Sequence, residues 1–174
     1  MSRAAFFDRD GALNELVWFE EAGIVDAPFH EDHMRLIPGA AEVVRSFGAA
    51  GYEVVVVSNQ PAVAKAHCSR AGLDRITRHM HELLAREGAR LDAVYYCIHH
   101  PEARLAELRA TCDCRKPRPG LLLIGRVRCD LCHHLAEHDC RPDWLFPSIL
   151  EAARFLTDQE GDSHAAIHRH SQYR

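Results

Sequence analysis

Two acidic residues follow the first apolar segment of the chain. Residues 4–7 are apolar, Asp8 comes next, and Asp10 and Gly11 follow. Because strand side chains alternate with period two, Asp8 and Asp10 leave the strand end in broadly the same direction, and Gly11 permits a sharp turn. Two adjacent carboxylates repel each other unless a cation lies between them or one is protonated. At the carboxyl end of a buried strand, where open α/β sheets bind ligands, the pair indicates a Mg²⁺-assisted active site. A polar turn that only closes the strand is the alternative interpretation.

Four soft metal ligands occur in two close pairs. Cys97 and His99 are separated by one residue, as are Cys112 and Cys114, and twelve residues lie between the pairs. Two thiolate or imidazole ligands at each end of a loop are typical of a closed tetrahedral Zn²⁺ site. Such a site has no open position for water, so a structural role is expected, with free thiols as the alternative. We do not expect His100 to be a ligand, because adjacent extended residues cannot both face the metal.

Polar residues that suit phosphate binding follow the metal-ligand loop and the second strand. Arg115 and Lys116 come directly after Cys114, and a loop fixed by metal is a means of aiming one ammonium group at a phosphate. Ser58 and Asn59 end the second predicted strand, where a hydroxyl and an amide can hydrogen-bond phosphoryl oxygens. The alternatives are a solvated basic pair and a polar turn after the strand.

The periodic pattern of the chain alternates strands with helices. Apolar or β-branched runs predict strands over 4–7, 52–59 and 91–99, and Pro38 with Gly39 indicates the start of a helix through Phe47 that ends at Gly51. A helical stripe between the second and third strands is formed by Leu73, Ile76, Met80, Leu83 and Leu84. This order predicts an α/β fold with a parallel sheet. Residues 15–35 are irregular and could overhang the active site.

Composition limits the class of protein. The 174 residues carry a formal net charge of −4, which does not favour binding to the negatively charged backbone of nucleic acid. No apolar segment is long enough to cross a membrane. The first strand begins without a signal peptide, so we expect a cytoplasmic protein, and we expect a monomer. The polar, His-rich residues 161–174 are expected to form a disordered tail.

Three segments together resemble a known family. FFDRDGALN, VVVVSNQPAVAKA and CIHH…CDCRKPRPG are similar to the first three motifs of the haloacid dehalogenase-like phosphatases. The HHPE run and CDCRKP resemble most closely the branch of D-glycero-D-manno-heptose 1,7-bisphosphate phosphatases, while histidinol-phosphate phosphatases share the architecture. The resemblance implies a three-layer α/β sandwich with a Rossmann-like parallel sheet, a zinc-bound loop and no large cap domain, within a phosphatase domain over 1–160.

The resemblance also implies roles for individual residues and a phosphosugar substrate. Asp8 would be the nucleophile, Asp10 the acid–base residue, and Asp8 with the backbone carbonyl of Asp10 would hold Mg²⁺. The phosphoryl group would be bound by Ser58 and Asn59. Lys116 would stabilise the charge of nucleophile and phosphate, and Arg115 would contact the rest of the substrate.

The fourth motif of the family, a strand ending in Gly-Asp with a further Asp, is missing from the sequence. Residues 124–146 are atypical and predict the loss of a strand–helix unit, although residues 143–156 again resemble the closing segment, with Ser148 and Glu151 as a capping box. Asp130 is a candidate replacement ligand. Cys129, Cys132, His133, His134 and Cys140 are chemically adequate for a second zinc site, but chance composition is the favoured interpretation because the family pattern is broken there. Three functions stay open: an active sugar-phosphate phosphatase, a degenerate phosphosugar-binding homologue, and a zinc-organised interaction module.

Overall fold

The computed structural model describes residues 3–118, 120, 121, 150, 151 and 154. The named elements, in chain order, are β1 Arg3–Phe7, β2 Val17–Phe19, β3 Ile24–Asp26, α1 Ala40–Ala49, β4 Tyr52–Asn59, α2 Pro61–Ala64, α3 Arg70–Arg86 and β5 Ala93–Cys97. Short 3₁₀ helices lie at Glu20–Ala22, Glu31–His33 and Ala106–Leu108.

The central sheet is parallel and has the strand order β1–β4–β5. Phe7 at the end of β1 lies opposite Val56, and Asn59 at the end of β4 lies opposite Cys97. The three strands therefore end at one edge of the sheet. That edge brings together the acidic segment, the polar end of β4 and the first metal-ligand pair, which are far apart in sequence.

Each face of the sheet is covered by apolar residues. On one face, Val54 and Val56 pack against buried residues of α1 and α3, including Val44 and Met80. On the other face, Val55 and Val57 pack with Cys97 and Leu121. Because β4 is buried on both faces, its β-branched run is what a central parallel strand requires. The predicted α/β fold with a parallel sheet is confirmed.

Most predicted elements are confirmed, with differences at their ends. The first two strands and the apolar stripe of α3 lie where the pattern predicted, but β5 is shorter than the predicted 91–99. Helix α1 begins at Ala40, because Gly39 precedes it with a left-handed φ of 86° that favours glycine.

The irregular segment 15–35 contains a small antiparallel hairpin. Strands β2 and β3 pair from Val17 opposite Asp26 to Phe19 opposite Ile24. The sequence did not predict this hairpin, because its outer side chains break the alternation: Trp18 is 60% exposed and Val25 58%. Phe19, which is next to the turn of the hairpin, stacks on Phe29 with ring centres 4.2 Å apart.

Several predictions fall outside the described residues. They concern segment 124–146, the tail 161–174, Asp130 and the Cys- and His-rich residues 129–140. Of the predicted closing helix, Leu150, Glu151 and Arg154 are helical, and Leu150 packs against the core beside α1. No helix in the described ranges has the length and apolarity to cross a membrane.

Candidate active site

Asp8 presents a half-exposed carboxylate at the end of β1. Its side chain is 45% exposed, and its Oδ2 lies 2.6 Å from Nζ of Lys116. Its Oδ1 accepts the backbone N–H of Arg9 over 2.8 Å. The Lys116 ammonium also donates to the carbonyl oxygen of Val57 over 3.0 Å. Lysine and carboxylate are thus held together where a ligand from solvent can reach the carboxylate.

Asp10 has a different environment from Asp8. Its side chain is 13% exposed, and its Oδ1 accepts N–H groups from Nε and Nη2 of Arg9 over 3.0 and 2.9 Å. Asn14 Nδ2 donates to the same oxygen over 3.1 Å, and Gln60 Nε2 donates to Oδ2. The sequence predicted two carboxylates that require a cation or a proton between them. In the structure, the Arg9 guanidinium already balances the charge of Asp10.

Arg9 is a residue of this site that the sequence analysis did not single out. Its side chain is fully buried, its Nη2 donates to Gln60 Oε1 over 2.7 Å, and its guanidinium carbon lies 5.3 Å from the centre of the Tyr96 ring. Burial lowers the pKa of Arg9, but Tyr96 and Asp10 outweigh that effect and raise it overall. In the sequence, Arg9 lies between Asp8 and Asp10. We interpreted that position only as part of the motif and not as a partner of either acid.

Ser58 and Asn59, the two polar residues that end β4, have different hydrogen-bond partners. Ser58 is buried, and its Oγ accepts an N–H from Gln60 over 3.1 Å. The Asn59 amide is engaged with the backbone of Lys116: Nδ2 donates to the Lys116 carbonyl over 3.1 Å, and Oδ1 accepts the Lys116 N–H over 2.9 Å. Asn59, predicted as a phosphoryl ligand, therefore contacts the residue that carries the ammonium group.

The predicted soft ligands form one compact cluster. The ligand atoms of Cys97, His99, Cys112 and Cys114 all lie within 4.8 Å of one another. The three sulfur–sulfur distances are 3.5, 3.3 and 3.2 Å, and Cys114 Sγ lies 3.5 Å from His99 Nδ1. A Zn–S bond of about 2.3 Å in a tetrahedron requires sulfur atoms about 3.8 Å apart. The cluster has the composition and nearly the dimensions of a tetrahedral zinc site.

Burial and mutual hydrogen bonds shift the pKa values of the three thiols of this cluster in different directions. Burial raises the pKa of Cys97 to about 12, with hydrogen bonding to Cys114 adding to the effect. Burial likewise raises the pKa of Cys114, whereas for Cys112 it is outweighed by hydrogen bonds from Cys114 and Cys97, so the Cys112 pKa falls. Cys112 is therefore the thiol of this cluster that ionises most readily, and a bound cation would favour the thiolate form of all three.

Arg115 lies between the cysteine cluster and an open cavity. Its Nη1 is 3.4 Å from the carbonyl oxygen of His99. The cavity has a volume of about 220 Å³ and is lined by Pro101, Thr111, Cys112, Arg115, Lys116, Pro117 and Arg118. His100 is not one of the four residues of the cluster, and its Nδ1 accepts the Glu102 backbone N–H over 3.0 Å.

Known phosphatases are similar to this chain in sequence. No protein-family model matches the chain. A D-glycero-β-D-manno-heptose-1,7-bisphosphate 7-phosphatase of Salmonella typhi is 39% identical over 124 residues, which are 71% of this chain and 61% of that protein. A homologous 7-phosphatase of Pasteurella multocida is 40% identical over 71% of this chain and 62% of its own.

Two solved structures share the fold. A protein of Mesorhizobium loti classed as a haloacid dehalogenase-like phosphatase has a TM-score of 0.63 and 28% identity, over 73% of this chain and 57% of its own. The D,D-heptose 1,7-bisphosphate phosphatase of B. bronchiseptica, complexed with magnesium and phosphate, has a TM-score of 0.59 and 28% identity, over 74% of this chain and 63% of its own. The chain spans about 60% of the length of the curated relatives that it matches. In both sequence and fold, the chain resembles the haloacid dehalogenase-like phosphatases.

Proposed function

We propose that this chain hydrolyses a sugar-phosphate monoester through an aspartyl-phosphate intermediate on Asp8. The observation that carries the proposal is the pairing of the half-exposed Asp8 with the Lys116 ammonium at the carboxyl edge of the sheet. An ammonium 2.6 Å from the carboxylate can stabilise both the nucleophile and the negative charge of an incoming phosphate. Phosphoryl transfer depends mainly on such positioning and charge neutralisation.

The reaction proceeds in two displacements at phosphorus. In the first, a carboxylate oxygen of Asp8 bonds to phosphorus while the ester P–O bond breaks, and Asp10 gives a proton to the departing alcohol oxygen. In the second, Asp10 takes a proton from water as the water oxygen attacks phosphorus, and the bond to Asp8 breaks. Ser58 and Asn59 are the proposed phosphoryl ligands, and the cavity beside Arg115 would accommodate the rest of the substrate.

Mg²⁺ would be held by Asp8 and the backbone carbonyl of Asp10. Asp8 suits this role because its carboxylate is the more exposed of the two acids, whereas Asp10 accepts four N–H groups. When bound, the ion would supply positive charge that offsets the negative charge of the nucleophile and of the phosphate. The choice of Mg²⁺ as the ion is supported by the B. bronchiseptica relative, which is complexed with magnesium and phosphate.

We propose that Zn²⁺ occupies the cluster of three cysteines and His99 in a structural role. All four positions of a tetrahedral ion would be filled by protein atoms, which leaves none for substrate or water. The ion would join the end of β5 to the loop that carries Arg115 and Lys116. The zinc ion would position this loop and would take no part in the reaction, because none of the four zinc ligands contacts Asp8 or Asp10 in the described part of the chain.

The preferred substrate is D-glycero-D-manno-heptose 1,7-bisphosphate, hydrolysed at its 7-phosphate. The names of the curated relatives and the matched motifs support this choice. Histidinol phosphate is the alternative substrate. The test is phosphate release with Mg²⁺ from heptose 1,7-bisphosphate, histidinol phosphate and a chromogenic ester, with Asp8→Asn as the matched inactive variant. No release above that variant from any of the three substrates would contradict the proposal.

A second candidate is a homologue that binds phosphosugar without turnover. The specific observation in its favour is that residues 120–147 contain no apolar strand ending in Gly-Asp, the motif that would complete the Mg²⁺ site. Calorimetric binding of the bisphosphate without phosphate release would favour this candidate. Turnover that is lost in Asp8→Asn would exclude it.

A further inference from the structure

The four N–H groups that bind Asp10 are divided unequally between its two oxygens. Oδ1 accepts N–H groups from Nε and Nη2 of the Arg9 guanidinium and from the Asn14 amide, over 2.9 to 3.1 Å. Oδ2 accepts only the Gln60 amide. An ionised carboxylate offers about four acceptor positions, or about two on each oxygen. Oδ1 is therefore fully occupied, and the free position of this carboxylate is on Oδ2.

The donors themselves are held firmly. Arg9, Asn14 and Gln60 are all buried, and Gln60 accepts from Arg9 while its amide nitrogen also contacts Ser58 Oγ. Asn14 Nδ2 donates in addition to the carbonyl of Glu15 over 2.8 Å. A donor fixed by a second partner on its other side cannot turn away, so the network holds the orientation of the Asp10 carboxylate before any ligand binds.

We propose that Arg9 and Gln60 are positioning residues that fix Asp10 so that Oδ2 alone carries the transferred proton. The inference rests on the proposed function, in which Asp10 is the acid–base residue. In the first displacement, the Oδ2–H bond breaks and the proton passes to the alcohol oxygen as the P–O bond breaks. In the second, a water proton moves to Oδ2 as the water oxygen bonds to phosphorus. Arg9 and Gln60 exchange no proton in either step.

A network that is merely structural would affect every substrate equally, so the test compares leaving groups. An alkoxide leaving group of a sugar phosphate needs a proton, whereas p-nitrophenolate departs without one. The measurement is the rate of phosphoenzyme formation in single turnovers with a sugar phosphate and with p-nitrophenyl phosphate. Both are measured on the full chain with Mg²⁺.

Two variants disturb the network and one is a control. Gln60→Met removes the hydrogen bonds to Arg9 and Asp10 at similar side-chain size. Arg9→Lys keeps the positive charge but loses the paired N–H groups that donate to Asp10 Oδ1. Because general acid–base catalysis contributes roughly 10²–10⁴-fold, we expect a loss of about 10- to 100-fold with the sugar phosphate and less than about three-fold with the aryl ester. Val44→Ala, at a fully buried core position of α1, is expected to affect both substrates equally.

The outcomes separate the inference from the proposed function. Equal losses with the two esters in Gln60→Met would overturn the inference and leave a structural role. If Asp10→Asn forms phosphoenzyme from the sugar phosphate at the wild-type rate, the proposed function itself is wrong. Should Arg9→Lys fail to fold, as judged by its unfolding transition, Gln60→Met decides alone.

Discussion

Replacing Asn59 by alanine tests how Lys116 is held beside Asp8. The two hydrogen bonds between the Asn59 amide and the Lys116 backbone measure 3.1 and 2.9 Å, and both would be lost. A hydrogen bond of this kind contributes about 0.5–1.5 kcal/mol, so the variant weakens the positioning of Lys116 by about 1–3 kcal/mol. If the whole loss appears in the transition state, kcat/KM falls by about 5- to 150-fold, since about 1.4 kcal/mol corresponds to a factor of ten.

The assay is phosphate release from heptose 1,7-bisphosphate with saturating Mg²⁺. Lys116→Ala removes the ammonium group 2.6 Å from Asp8 and is expected to lower kcat/KM more than Asn59→Ala does. Arg45→Ala is the matched control, because it also removes a side chain-to-backbone bond, of 2.9 Å to Glu87, but does so remote from the sheet edge. We expect the control to keep the wild-type kcat/KM.

The double variant decides between positioning and direct phosphate binding. If Asn59 acts only through Lys116, adding Asn59→Ala to Lys116→Ala changes the activation free energy by less than about 0.5 kcal/mol. If Asn59 binds the phosphoryl group itself, the full loss persists in the Lys116→Ala background and appears largely in KM. That second result would refute the positioning argument and favour the role that the sequence predicted for Asn59.

Four further predictions concern the acids and the two metals. Asp8→Asn should abolish phosphate release, because an amide cannot form the acyl phosphate, and Asp10→Asn should slow turnover by roughly 10²–10⁴-fold; wild-type rates in either would contradict the assignment. Metal analysis should find about one zinc per chain and almost none in Cys112→Ser. Because burial raises the pKa of Cys97 to about 12 and zinc binds the thiolate, zinc affinity should rise with pH, and a chelator should remove zinc more readily on acidification. Mg²⁺ should bind weakly and more tightly as substrate is added, so saturation at micromolar Mg²⁺ without substrate would show additional protein ligands.

The sheet and the cysteine cluster could be predicted because each is specified by local pattern. A run of β-branched residues such as Val54 to Val57 is compatible with little except a central strand. The ligand pairs at Cys97 and Cys112 are close enough in sequence that their spacing alone fixes two ligands on each side of a loop. In both cases the geometry follows from neighbouring residues and needs no knowledge of the rest of the fold.

The partners of the acids could not be predicted, because they depend on tertiary contacts. The sequence gives Asp8 and Asp10 equivalent positions, yet one pairs with Lys116, over a hundred residues away, and the other with the adjacent Arg9. The Arg9 guanidinium is held beside Asp10 by residues remote in sequence: it lies 5.3 Å from the centre of the Tyr96 ring and donates to Gln60 Oε1. For the same reason, the contact of Asn59 with the Lys116 backbone has no signal in the strand pattern.

The pairing of each acid with its own cation has a consequence for ligand binding. While both acids are ionised, Asp8 with Lys116 and Asp10 with Arg9 form two formally neutral pairs at the sheet edge. A phosphate monoester brings a charge of about −1.5 to −2, and a Mg²⁺ ion brings +2. Either ligand alone would leave a half-buried site with an excess of about two charges, which is costly where solvent screening is reduced. Phosphate and Mg²⁺ together restore neutrality, so the electrostatics of this edge favour their joint binding over the binding of either one.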